Sequence, residues 1–174
     1  MTAIEETTAP AGGTAGKSTH DSTLLPVGDA TQPALPQLPY ADAVHTALDA
    51  LALLPDALET GVRRAPDGVR ELFLRLEWLP THDDLAVPEM HGAGLTLEWS
   101  HLGGWLARSG TDVAGPGIDR LADPAVVADT ALHAALCGMH CACDKPYRGR
   151  RWEHADHLAT VLTAYDERTE GVTG

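Results

Sequence analysis

Between Val69 and Leu79 the chain alternates: Leu72, Leu74, Leu76 and Trp78 share one face, and Glu71, Phe73, Arg75 and Glu77 share the other. A strand with one apolar and one charged face belongs to a sheet that is packed on one side and wet on the other, which is the habit of antiparallel sheets. A second alternation sets Leu95, Leu97 and Trp99 against Thr96, Glu98 and Ser100, and Gly103-Gly104 then permits a tight reversal into Trp105-Leu106-Ala107-Arg108. These runs predict a hairpin closed by two tryptophans. The segment from Pro80 to Ala93, with its two prolines and with His82 and His91, reads as a long loop between strands.

Helical patterns flank the strands. Val44, Leu48 and Leu51, with Leu58 beyond Pro55, recur at helical spacing and predict a first helix from Tyr40 to about Leu54. It either stops at Pro55 or restarts with Pro55 in its first turn and ends by Gly61. Asp123-Pro124 is a helix start, because Asp123 can accept from free amides while proline suits the first turn. The helix is expected to run to about His140, with Ala128, Leu132, Ala135, Leu136 and Met139 on its apolar face. A last helix is expected from Trp152 to about Arg168, with Leu158, Val161, Leu162 and Tyr165 as its core stripe. The order is helix, three to four antiparallel strands, helix, helix. It predicts an α+β fold in which the two C-terminal helices pack on one face of a small sheet.

Residues 1–39 are rich in Thr, Ala, Gly and Pro and show neither period, so they read as a disordered arm before a single domain at 40–169 and a fraying tail at 170–174. The formal charge of −13 repels phosphate at long range, which argues against a general nucleic-acid or anionic-membrane binder. The start carries no apolar secretory stretch, and no run approaches the roughly 18 apolar residues of a membrane helix, so the expected location is the cytoplasm.

The hairpin Leu97-Glu98-Trp99-Ser100-His101-Leu102-Gly103-Gly104-Trp105, followed by Leu121-Ala122-Asp123-Pro124-Ala125-Val126-Val127-Ala128, resembles a family of small bacterial α+β domains of unknown function. The shared features are a Trp, four residues, Gly-Trp reversal and an Asp-Pro helix start. The resemblance spans roughly Tyr40 to Met139 and implies a fold but no activity.

Three clusters carry candidate chemistry. Cys137, Cys141 and Cys143 fall within seven residues, too close for the disulfide framework of a secreted domain, and in a reducing compartment they are thiols or metal ligands. On a continuous helix His133, Cys137, His140 and Cys141 follow one stripe, and His154 and His157 open the next helix. Zinc takes four N or S ligands in a tetrahedron, and one plausible set is Cys137, Cys141, His154 and His157, with Cys143 beside it, although Cys141-Ala142-Cys143 leaves one residue where zinc modules commonly leave two to four. Alternatively, Cys137 packs as a small hydrophobe and the other cysteines sit in a loop.

The second cluster is Lys145, Arg148, Arg150 and Arg151, flanked by Tyr147 and Trp152; it suits an anion or acidic partner, or else covers acids of the domain's own surface. The third is Trp78, Trp99, His101 and Trp105, either a binding surface or core packing, with Trp105 expected to be the most exposed. No phosphate-binding glycine loop, nucleophile elbow or metalloprotease helix occurs.

The leading expectation is a non-enzymatic, cofactor-free interaction or regulatory domain that binds a protein partner or its own copy through Trp99, His101 and Trp105 or through the arginine loop. The alternatives are a zinc-stabilised binding module built on Cys137–Cys143 with His154 and His157, and a small-molecule enzyme with a histidine and carboxylate near the hairpin, such as His101 with Glu98.

Overall fold

Helix α1 (Leu38–Ala50) starts at the Gln37 N-cap with proline in its first turn, and it buries Tyr40, Ala41, Val44 and Leu48. The computed structural model describes residues 35–65, 68–141, 143 and 148–170. The N-terminal arm up to residue 34, Lys145 and Tyr147, and the tail after 170 lie outside the described residues.

After α1 the chain turns through Ala52 at φ 54 and enters strand β1 (Ala57–Arg64), not a second helix. The helical spacing of Leu58 is thus overridden. Leu58, Thr60 and Val62 stand opposite Leu76, Leu74 and Leu72 of strand β2 (Arg70–Trp78), so cross-strand pairing decides the segment. A 3-10 turn at Pro88–Met90 precedes β3 (Leu95–Ser100), which pairs with β4 (Gly104–Ser109) and sets Trp99 directly opposite Trp105. The short β5 (Asp112–Ala114) completes an antiparallel sheet of five strands in the order β1-β2-β3-β4-β5, one or two more than the sequence pattern predicts. With helices α2 (Pro124–Cys137) and α3 (Ala155–Glu170) the fold is α+β.

The core lies on the sheet face formed by Leu72, Leu74, Leu76, Trp78, Leu97 and Trp99. Tyr40 of α1 meets Trp99 and Trp105 edge-on at 5.8 and 6.3 Å, and its hydroxyl donates to the Ala122 carbonyl at 2.8 Å. Burial pushes the Tyr40 hydroxyl far above its usual pKa, so it stays a donor at all working pH values. Tyr165 of α3 meets His101 edge-on at 5.9 Å. The opposite face is charged: Arg63 donates to Glu71 and Glu98, Arg108 also reaches Glu98, and the Arg63 guanidinium lies 5.2 Å over the Phe73 ring. Among the described residues no helix is long and apolar enough to cross a membrane.

One glycine approach fixes the entry to β3. Gly94 has φ +72, and a Cβ there would stand 2.4 Å from the Trp78 carbonyl oxygen, so no side chain fits.

Candidate metal centre

Asp123 caps α2 by accepting from the Ala125 amide at 2.9 Å, and proline follows it in the first turn. The helix ends at Cys137, three residues short of the expected His140. Gly138 takes φ 88, ψ 159, a conformation open essentially to glycine alone, while its amide still reaches the Ala134 carbonyl at 2.9 Å. His140 and Cys141 therefore do not continue a helical stripe. Instead a turn closes from the Cys141 amide to the Gly138 carbonyl at 3.1 Å.

That reversal assembles a site. His133 and Cys137 lie one turn apart on α2, and the ligand atoms of His133, Cys137, Cys141 and Cys143 all fall within 4.8 Å of one another. Three sulfurs and one imidazole are a zinc donor set, and two thiolates on one tetrahedral zinc stand roughly 3.7 Å apart at Zn–S bonds of about 2.3 Å. The Cys141 and Cys143 sulfurs are 2.7 Å apart, so admitting an ion requires this pair to spread by about 1 Å, a small rotation of an exposed side chain. The hydrogen bond with Cys141 pushes the Cys143 thiol up to about 11, with smaller contributions from desolvation and from the neighbouring Cys141 and Cys137 charges. Asp129, a further turn back, lies 3.7 Å from His133 Nε2, an i,i+4 contact beyond hydrogen-bond distance.

His133 and Cys141 are half-buried, whereas Cys137 and Cys143 are exposed. Two clefts, of about 370 and 220 Å³, flank the Gly138–Cys141 segment. The larger has Val87, Met90 and Met139 in its wall and Glu89 and Asp112 among its polar groups.

The remaining expected residues lie elsewhere. His154 and His157 do not belong to the four-ligand group. The His154 ring stands edge-on to Trp152 at 5.1 Å with Nε2 3.4 Å from Glu153, and His157 is exposed on α3. His140 pairs with Asp112 at 2.8 Å. His133 takes their place in the cluster, and the sequence signal for it is the four-residue spacing to Cys137.

Trp99, His101 and Trp105 are buried, and Trp105, which the sequence pattern predicts to be the most open of the tryptophans, is only 5% exposed. Pairing opposite Trp99 and the contact with Tyr40 draw it inward, and its indole donates to the Tyr40 hydroxyl at 3.4 Å. Glu98 and His101 do not converge either. Glu98 is held by Arg63 and Arg108, and the His101 ring bonds the Leu72 amide and Asp166. Of the basic cluster, Arg150 pairs with Asp123 at 2.9 Å and Arg151 with Asp156 at 2.9 Å and Asp119 at 3.4 Å, which is the surface-covering arrangement. Arg148 lines the smaller cleft. Backbone bonds from Trp152 N–H to Leu121 and from Asp123 N–H to Arg150 tie this end of the loop beside the start of α2.

Compared with protein-family models, curated proteins and solved structures, the chain matches none.

Proposed function

We propose that the protein is a non-enzymatic metal-binding domain that holds one zinc ion on His133, Cys137, Cys141 and Cys143. The observation that carries this reading is the convergence of those four ligand atoms within 4.8 Å on a helix end and the loop folded back over it. Three thiolates favour a thiophilic cation over magnesium, calcium or manganese. Four protein donors fill a tetrahedron and leave no position for a reactive water, which supports holding an ion over hydrolysing a substrate with it. Thiol ligands also suit a reducing compartment such as the cytoplasm.

Trp99, His101 and Trp105 lie in the core and Arg150 and Arg151 are engaged by acids, so among the described residues the metal-bearing end of α2 is the surface we assign to a protein partner or a second copy. The test is metal content. Full-length protein purified without added metal should carry one zinc per chain, Cys137→Ser and Cys141→Ser should abolish it, and folded wild-type protein that takes up no zinc would remove the proposal.

A further inference from the structure

The four donors lie outside the hydrophobic core. No ligand belongs to the core cluster, although Ala131, Ala134 and Ala135 of the same helix do. The far end of the loop is already fixed by the bonds between Leu121, Asp123, Arg150 and Trp152. A metal at the near end therefore does not hold the domain together, unlike zinc in a module that is unfolded without it. Two of the four ligands, Cys137 and Cys143, are exposed, and clefts open on both sides of the Gly138–Cys141 segment. An incoming ligand has room to reach the ion before any resident ligand leaves.

We infer that the site is exchange-competent and passes its zinc to a thiol-bearing acceptor by ligand displacement; this rests on the metal reading above. Cys143 is the first ligand to leave, because it is exposed and, unlike Cys137, is not carried on α2. In the first step an acceptor sulfur forms a bond to zinc as the bond from zinc to Cys143 Sγ breaks. The proton of the acceptor thiol passes to the Cys143 sulfur, and nothing is oxidised or reduced. Repetition at Cys137, Cys141 and His133 completes the transfer. The partner is thus a protein with its own vacant thiolate site, or a small thiol that precedes it.

The experiment is stopped-flow transfer of zinc from the loaded full chain to the chromophoric chelator 4-(2-pyridylazo)resorcinol, with near-ultraviolet circular dichroism followed in parallel. The expected rate rises in proportion to chelator concentration while the tryptophan signal of the core stays constant. Cys143→Ser, which still leaves three donors, should accelerate transfer tenfold or more. Stoichiometric zinc released at a chelator-independent rate, or released together with the tryptophan signal, overturns exchange by displacement and leaves the metal reading standing. Absence of bound zinc overturns both.

Discussion

His101 Nδ1 accepts from the Leu72 amide at 3.0 Å while its Nε2 lies 2.8 Å from Asp166 Oδ1. The first bond assigns the ring proton to Nε2, so the imidazole donates to Asp166 and joins β2 to α3 through a buried side chain. The His101 amide also donates to the Leu72 carbonyl at 3.1 Å, extending the β2–β3 pairing one residue past Ser100. His101→Ala leaves the Leu72 amide without this acceptor and should cost about 3 kcal/mol, whereas Asp166→Ala, at a half-exposed carboxylate, should cost about 1 kcal/mol. Urea unfolding followed by tryptophan fluorescence gives both values, and equal losses would contradict this reading of the pair.

The tryptophan hairpin makes a stability prediction in place of a binding one. Trp105→Ala should cost about 3–5 kcal/mol, as large aromatic deletions in cores do. Alanine at Arg150 or Arg151, on exposed ion pairs screened by solvent, should leave stability nearly unchanged. Thermal unfolding of the variants distinguishes a core tryptophan from a surface one.

Glu71 carries a pH dependence. Burial raises the pKa of its carboxyl group, but hydrogen bonds from Arg63 and Ser100 outweigh burial and hold it below the usual carboxylate range. A lowered folded pKa means that the stabilisation is complete above the unfolded value and disappears as pH falls through the folded one. Since Arg63 is more than a third exposed, solvent screening reduces the effect. Glu71→Gln should therefore cost about 1 kcal/mol at neutral pH and progressively less below about pH 4. A constant difference across that range in urea melts would contradict the assignment.

Much of this was legible in the sequence and some was not. The alternations at Leu72–Trp78 and Leu95–Trp99 are regular because each strand has one buried and one wet face. β1 lacks that contrast: as an edge strand it is exposed or half-exposed throughout, and Leu58 falls by chance at helical distance from Leu51. β5, at three residues, is too short to show a period. The cysteine cluster was visible, and so was the His133–Cys137 turn. The choice among histidines was not, because it depends on Gly138 sending the loop back over α2 and on α3 starting beyond the loop's second anchor at Trp152.

That role of Gly138 is itself testable. Nothing lies within 4 Å of a Cβ placed there, so an alanine meets no clash and only the backbone conformation is strained. Gly138→Ala should leave the core folded and weaken zinc binding by about five- to 150-fold, which is what the 1–3 kcal/mol of such strain amounts to. Competition titration against a zinc chelator measures it, and unchanged affinity would show that the reversal does not aim Cys141 and Cys143.

The ligand assignment separates two sets of histidines on the same chain. His133→Ala should lower zinc affinity, while His154→Ala and His157→Ala should leave it unchanged; competition titration of the three variants ranks them directly.

The most direct measurement of the zinc ligands is X-ray absorption fine structure at the zinc edge of the loaded full chain. Three sulfur neighbours at about 2.3 Å and one nitrogen at about 2.0 Å are expected. A shell dominated by oxygen and nitrogen, or one with two sulfurs and two imidazoles, would contradict the four-residue centre formed by His133, Cys137, Cys141 and Cys143.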